Sequence, residues 1–195
     1  MLVGRKIRER RKELKLTLQE LAERTTLSVG FLSQVERNQA TPSLSSVINI
    51  VQALGLSVDD LVRAPAGAGN VTRARDRDEF HIDGSDVTYA RLSASFEDHR
   101  FNAVEVNLPP GYEAESLIHD GEEFIYVLEG EISMSLDGVE HHLGPGDTIH
   151  FPSSIRHRWH NCTKRPARLI WAGSLDLFSS HRSGRLEEMI IKKAS

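Results

Sequence analysis

The sequence predicts two domains: an all-α domain of five short helices, then an all-β domain with a barrel or jelly-roll fold. The hydrophobic pattern changes from a helical period to short alternating runs near residue 70, and small residues with two glycines and a proline fill positions 63–70. Residues 1–65 hold 10 Lys and Arg against 7 Asp and Glu, whereas residues 66–195 hold 14 against 21. We expect a first domain at 1–63, a linker at 64–76, a second domain at 77–180 and a C-terminal tail at 181–195.

Capping residues set the expected helix starts. Thr17 and Glu20 have the spacing of a capping box, so one helix begins at Leu18, and Ser28 caps the next. Thr41 followed by Pro42 predicts a cap and the first residue of another helix. The first helix is expected over residues 4–14, and a short fifth helix after residue 57.

The helix that follows Ser28 is expected to bury Leu32 and Val35 and to present small and hydrogen-bonding residues outward. Residues 16–22, 27–28, 31–37, 42–44 and 53–55 resemble the lambda-repressor/Cro-type helix-turn-helix, or XRE family. The resemblance implies that this helix lies in the major groove of DNA, with Gln34 the strongest candidate for a base contact. The base contacts it implies come from Val29, Gly30, Ser33 and Gln34, and the phosphate contacts from Gln19, Ser28, Arg37 and Asn38.

The same resemblance pairs Arg11 of the first helix with Glu36 of the recognition helix. This chain departs from the family pattern at one position, since the family often has glycine in the turn where this chain has Thr26. A β-branched residue suits a positive φ poorly. The geometry of this turn is therefore less determined by the sequence than the helices are.

The second half of the chain consists of short β-like runs, such as residues 87–92 and 101–106, separated by turn residues. Asp137 and Gly138 lie between two such runs and predict a tight hairpin. Many evenly spaced short strands are typical of a barrel or jelly roll.

Two spaced motifs in this half resemble those of the cupins, which fold as a double-stranded β-helix. The first contains Gly111, His119, Glu123 and Gly130, and the second contains Gly146, Pro152, His157 and Asn161. The cupin resemblance implies that His119, Glu123 and His157 face the inside of the barrel, where three histidines and a glutamate hold a metal in metal-binding cupins. Here Leu117 stands at the position of the first histidine.

Two ligand types remain open for this site. His119, Glu123 and His157 can form a two-histidine, one-carboxylate set for Zn, Fe, Ni or Mn. Alternatively, Leu117 keeps the site free of metal, and an organic effector contacts the same side chains, with Tyr126 reaching the barrel interior. Residues 116–123 also resemble polyamine-responsive repressors, which implies that Glu123, with Glu113 or Glu115 near the mouth, holds a polyamine or other amine.

The sequence therefore predicts a transcriptional regulator, a homodimer on a pseudo-palindromic DNA operator, whose cupin domain binds a small effector. We expect no enzymatic activity; the alternatives are a metal-dependent cupin enzyme of the dioxygenase or isomerase type, and a barrel that serves only to dimerise the chain. The single cysteine, Cys162, excludes an internal disulfide. Because no apolar stretch resembles a signal peptide or membrane span, we expect a cytoplasmic protein without membrane association.

Overall fold

A computed structural model describes residues 3–56, 58, 70–82, 84–94, 96 and 99–174. An all-α region precedes an all-β region, in agreement with the predicted fold class. The described helices are α1 (Val3–Glu13), α2 (Leu18–Thr25), α3 (Val29–Glu36) and α4 (Leu44–Ala53), and a short 3-10 helix covers Ala74–Asp76. The predicted fifth helix lies outside the described residues apart from Val58, which is buried. The described helices are not long and apolar enough to cross a membrane.

The first two caps lie where the sequence predicts them. The Thr17 hydroxyl accepts the Glu20 backbone N–H, and the Glu20 carboxylate accepts the Thr17 N–H at 2.7 Å, which completes the capping box of α2. The Ser28 hydroxyl accepts the Phe31 N–H at 3.1 Å and caps α3.

The start of α4 differs from the prediction. Ser43, and not Thr41, is the N-cap, because its hydroxyl accepts the Ser46 N–H at 3.2 Å. The Thr41 hydroxyl instead donates to the carbonyl of Gly84 at 3.0 Å. Pro42 therefore precedes the cap and is not the first helical residue.

The second region contains nine described strands in two antiparallel sheets. One sheet has the order β1-β2-β3-β9-β4-β7 and the other the order β6-β5-β8. Asp137 and Gly138 both have positive φ, 49° and 84°, and join β5 to β6 as the predicted hairpin. The strands are β1 (Glu79–His81), β2 (Thr88–Arg91), β3 (Asn102–Leu108), β4 (Glu122–Glu129), β5 (Ile132–Leu136), β6 (Val139–Leu143), β7 (Thr148–Pro152), β8 (His157–His160) and β9 (Ala167–Gly173).

Strand alternation decides which side chains face the barrel interior. In β4, Glu123, Ile125 and Val127 are buried, whereas the residues between them are exposed or half-buried. Burial also alternates along β3 and β9, which pair with each other over seven residues. The inward side chains of both sheets and of the four helices belong to one hydrophobic cluster, so the two regions pack against each other.

Candidate functional site

Helix α3 presents the outward face that the sequence predicts. Leu32 and Val35 are buried, whereas Val29, Gly30 and Gln34 are exposed. Ser33, the fourth predicted base contact, is half-buried. A Cβ atom added at Gly30 would meet no described atom within 4 Å, so this glycine is not required by packing.

The four residues predicted to contact phosphates differ in how free their side chains are to bind DNA. Gln19 and Arg37 are exposed, and each side chain bonds within its own helix, to Glu23 and to the Ser33 carbonyl respectively. Ser28 is also exposed, although its hydroxyl caps α3. Asn38 accepts the Gly4 N–H through Oδ1 at 3.2 Å, so it also joins α3 to α1.

A buried ion pair fixes α3 against α1. Arg11 Nε lies 2.5 Å from Glu36 Oε1, and Arg11 Nη2 lies 2.8 Å from Glu36 Oε2, a bidentate arrangement. The Arg11 guanidinium also donates to the Leu16 carbonyl at 2.7 Å. The hydrogen bond to Glu36 raises the pKa of Arg11 despite partial burial. This is the pair that the helix-turn-helix resemblance implies.

The turn before α3 has the left-handed conformation that usually favours glycine. Thr26 has φ 56° and ψ 12° at the C-terminus of α2. Its hydroxyl donates to the carbonyl of Ile118, in the β region, at 3.2 Å. The threonine is therefore accommodated with an unfavourable backbone angle and gains a contact that glycine lacks.

Inside the barrel, the structure brings His119, Glu123 and His157 together, and we call these residues the triad. Glu123 Oε1 lies 2.9 Å from His119 Nε2 and 3.5 Å from His157 Nε2. All three side chains are buried, with 6% or less of each exposed. Strand β4 positions Glu123, β8 positions His157, and His119 lies in the segment that leads into β4.

Backbone carbonyls orient both imidazoles of the triad. His119 Nδ1 lies 2.9 Å from the Asp120 carbonyl, and His157 Nδ1 lies 2.8 Å from the Ile155 carbonyl. When Nδ1 carries the proton for such a bond, Nε2 has a lone pair for a cation in the neutral ring and donates to Glu123 in the protonated ring. Both Nε2 atoms therefore point to the Glu123 carboxylate as potential ligands.

The triad strongly favours an ionised Glu123. Burial alone would raise its pKa, but the hydrogen bond from His119 and the nearby imidazole of His157 outweigh burial and lower the pKa to about 2. Burial would likewise lower the pKa of His119, but its bond with Glu123 raises it overall. Glu123 is thus ionised inside the barrel, beside the two imidazoles that stabilise its charge.

The triad geometry fits a divalent cation. One ligand atom from each residue lies within 4.8 Å of the others. His157 Nε2 is buried and has no hydrogen-bond partner with good geometry among the described residues. Leu117 pairs with His157 across an antiparallel bridge, so its side chain lies on the same face, and it is 2% exposed. The position of the absent fourth ligand is therefore apolar.

The structure does not bring Tyr126 to the triad. It alternates with buried Ile125 and Val127, so it lies on the outer face of β4, with 36% of its area exposed. The expectation that Tyr126 reaches the barrel interior is wrong, because one residue of register moves a side chain to the opposite face.

Glu113 and Glu115, the other predicted amine contacts, are each bonded to protein groups. Glu113 pairs with Arg158 at 2.6 Å, and Glu115 accepts hydrogen bonds from Ser43 and Ser46. Both carboxylates therefore have protein partners that compete with an amine ligand.

Two aromatic residues beside the triad were missed by sequence reasoning. Trp171 of β9 is buried and helps to lower the pKa of Glu123, although its indole N–H lacks good hydrogen-bond geometry. Phe151 is the register partner of Glu123 and contacts the His157 ring, with centroids 5.2 Å apart. Strict alternation along β9 could have indicated that Trp171 faces inward.

Comparison with known protein families identifies both domains. Residues 7–61 match the helix-turn-helix family, and residues 104–173 match the cupin domain family. The chain therefore joins an XRE-type helix-turn-helix domain to a cupin domain.

Proteins with the same organisation are found among transcriptional regulators. The chain is 26% identical over 171 residues to the HTH-type transcriptional regulator PuuR of Escherichia coli, covering 87% of this chain and 92% of PuuR. It is 22% identical to the regulator SutR of the same organism, covering 80% of this chain and 84% of SutR. A crystal structure of an HTH_3 family transcriptional regulator from Vibrio cholerae shares the fold, with a TM-score of 0.58, 22% identity, and coverage of 88% and 94% of the two chains. The names of these relatives agree with the prediction that the chain is not an enzyme.

Proposed function

We propose that the protein is a sequence-specific DNA-binding transcriptional regulator that acts in the cytoplasm as a homodimer and responds to an effector bound at the triad. The observation that carries this proposal is the exposed, polar face of α3, which the buried Arg11–Glu36 pair fixes against α1. Relatives that span both domains are named as regulators, which supports the same conclusion.

The residues of α3 divide into two roles. The exposed amide of Gln34 can bond adenine N6 and N7 together, and such a bidentate contact discriminates by about 1 to 3 kcal/mol. Gly30 allows the helix to approach base edges closely, since no side chain intervenes. Arg37 carries its charge at the end of the helix and serves a phosphate, which sets position but not sequence.

The assignment of base and phosphate contacts is tested by selecting preferred duplexes from a random pool and measuring their affinity by fluorescence anisotropy. We expect Gln34→Ala to lose preference for the selected sequence by about tenfold and Arg37→Ala to weaken binding to all duplexes and reduce the salt dependence. Gln52→Ala is the matched control, because Gln52 is an exposed glutamine on α4. Unchanged preference in the Gln34 variant would refute the assignment of α3 as the recognition helix.

Two effector chemistries are compatible with the triad. A divalent cation such as Zn, Fe, Ni or Mn would be held by His119, Glu123 and His157 and would offer open positions to an effector. The unpartnered His157 Nε2 favours this candidate. A polyamine or other amine would instead bind the buried carboxylate of Glu123 directly, in place of the imidazole contacts.

A thermal-shift experiment separates these chemistries. Protein treated with EDTA is titrated with Ni²⁺, Zn²⁺ or Mn²⁺ and, separately, with putrescine, and Glu123→Gln is the control variant. A ligand at 100 times its Kd stabilises the folded state by about 2.7 kcal/mol if it binds only that state. A cation-dependent shift that Glu123→Gln abolishes supports the metal site, and a putrescine shift without cation supports direct amine binding. If neither the cations nor putrescine shift the Tm, the barrel serves only to dimerise the chain.

The outer face of the larger sheet supports the homodimer. Register places exposed Phe124 next to Ala172 and His150, and exposed Tyr126 next to Ile170, so two exposed aromatic rings lie on this face beside apolar side chains. A second copy of the chain is the occupant that a pseudo-palindromic operator requires.

Light scattering after gel filtration tests this surface. We expect a dimer for the wild type and a monomer for Phe124→Glu. Val139→Glu is the control, since Val139 is a 59% exposed hydrophobic residue in the β5–β6 hairpin and should leave the dimer intact. A Phe124→Glu protein that remains dimeric would place the dimer interface elsewhere.

A further inference from the structure

The N-terminus of α4 is capped by a carboxylate from the cupin domain. Glu115 Oε2 accepts the backbone N–H of Ser43 at 3.1 Å and the hydroxyl of Ser46 at 2.8 Å. Ser43 is 3% exposed and Ser46 is fully buried, although serines in the first turn of a helix usually face water. The cupin domain therefore covers this helix end and supplies its charged cap.

Helix α2 shows what Glu115 replaces. In α2, the third helical residue is Glu20, whose carboxylate accepts the N–H of the N-cap Thr17. In α4, the equivalent residue is Ser46, whose hydroxyl bonds Ser43 Oγ and Glu115. Glu115 thus completes in α4, from another domain, the capping box that α2 completes by itself.

Two tyrosines of the cupin domain, buried Tyr89 and half-buried Tyr112, strengthen the same contact. Tyr89 is 1% exposed and hydrogen-bonds the backbone of Leu44, the first residue of α4. Tyr112 hydrogen-bonds the side chain of Ser43. Burial raises the pKa of both tyrosines, so both hydroxyls are protonated. The contact is a packed polar interface and not a single surface pair.

Residues 115–119 connect this contact to the triad, and we call them the coupling segment. Leu117 exchanges two backbone hydrogen bonds with His157, at 2.9 and 3.0 Å. Ile118 accepts the Thr26 hydroxyl at the turn before α3, and the next residue is His119 of the triad. These five residues therefore contact α4 and the turn before the recognition helix, bond to His157 and include His119.

The contact between Thr26 and Ile118 is made from an unfavourable backbone angle at Thr26. Glycine would adopt φ 56° freely, whereas the β-branched side chain of threonine disfavours this angle. The hydroxyl that glycine lacks is the group that reaches Ile118. Unfavourable backbone angles of this kind are often found at switch regions.

We propose that the coupling segment transmits the state of the triad to the DNA-binding domain: Glu115 caps α4, Ile118 holds the turn at Thr26, and a displacement of His119 alters both contacts. This inference rests on the proposed function, in which the triad is the effector site. Because such coupling is reciprocal, DNA bound at α3 changes the affinity of the triad by the same factor.

Hydrogen–deuterium exchange of the full chain tests the cap. We expect Glu115→Ala to speed exchange in peptides that cover the first turn of α4 by about fivefold, the loss of a typical cap. Glu113→Ala is the matched control, because Glu113 is a neighbouring glutamate that pairs with Arg158 within the barrel. Equal exchange in α4 for wild type and Glu115→Ala would refute the assignment of Glu115 as a cap.

A second comparison tests transmission without any effector. His119→Gln changes the triad, and we expect altered exchange in peptides covering residues 26–36 as well as residues 119–123. Thr26→Gly removes the hydroxyl and relieves the φ angle, so the response of residues 26–36 to His119→Gln should disappear in that background. A His119→Gln protein with altered exchange at 119–123 but unchanged exchange at 26–36 refutes the proposal. Failure of the proposed function would appear separately, as absent DNA or ligand binding by the wild type.

Discussion

Replacement of Glu36 by alanine tests how the recognition helix is held. Arg11 would lose both bonds to Glu36 and keep only its bond to the Leu16 carbonyl. The Arg11 side chain is 11% exposed and that of Glu36 is 5% exposed, so the remaining charge stays mostly out of water. Removing one partner of a buried pair costs about 3 to 5 kcal/mol, and we expect about 3 because Arg11 keeps some solvent contact.

Urea unfolding followed by circular dichroism at 222 nm measures this change. A loss of about 3 kcal/mol is a large part of the stability of a small domain and should lower the urea midpoint clearly. In thermal unfolding, the same loss should lower Tm by roughly 12 °C or more. Glu9→Ala is the control, since the Arg5–Glu9 pair is exposed and should not change the urea midpoint measurably.

Two outcomes would refute the reasoning. The first is a Glu36→Ala protein with the same midpoint as Glu9→Ala. The second is an Arg11→Met, Glu36→Leu double variant that is less stable than Glu36→Ala, since an apolar pair should recover stability by removing the unpaired charge.

Three further predictions concern the helical domain. Gly4→Ala would place Cβ 1.9 Å from the Val35 carbonyl oxygen, so we expect a loss of about 1 to 3 kcal/mol in urea unfolding. Gly30→Ala, by contrast, has open space and should raise stability by up to about 1 kcal/mol while weakening operator binding in anisotropy titrations. The Thr17 backbone N–H, and then its hydroxyl, lower the pKa of Glu20, so its contribution to α2 is present above the ordinary glutamate pKa and is lost as pH falls through the depressed value. The stability difference between wild type and Glu20→Gln, measured from pH 7 down to pH 3, should therefore shrink in acid.

Local signals predicted most of the helices and the hairpin. The caps at Thr17 and Ser28 and the turn at Asp137 depend on neighbours within three residues, which the sequence displays directly. The cap of α4 was misplaced because Thr41 and Pro42 are an equally good local signal. In the structure the Thr41 hydroxyl bonds to Gly84 and the Ser43 N–H bonds to Glu115. Partners so distant in sequence cannot be read from a local pattern.

The triad and the apolar Leu117 beside it were predictable, whereas the other neighbours of the triad were not. Motif spacing indicated His119, Glu123 and His157, which the fold brings within one site. The error at Tyr126 arose because the inward face of β4 depends on register, while aromatic residues occur on both faces. The hydrogen bonds of Glu115 to Ser43 and Ser46 were not predicted, because these serines lie about 70 residues away in sequence.

The capping of α4 by Glu115 limits how freely the two domains can be exchanged. A chimaera that grafts residues 3–56 onto another sensor would leave the Ser43 N–H without its acceptor and expose serines that are now buried. Such a chimaera would need a carboxylate at the matching surface position or a glutamate in place of Ser46. The DNA-binding half is therefore adapted to this particular barrel, and substitutions on the two sides of the contact are expected to occur together in related chains.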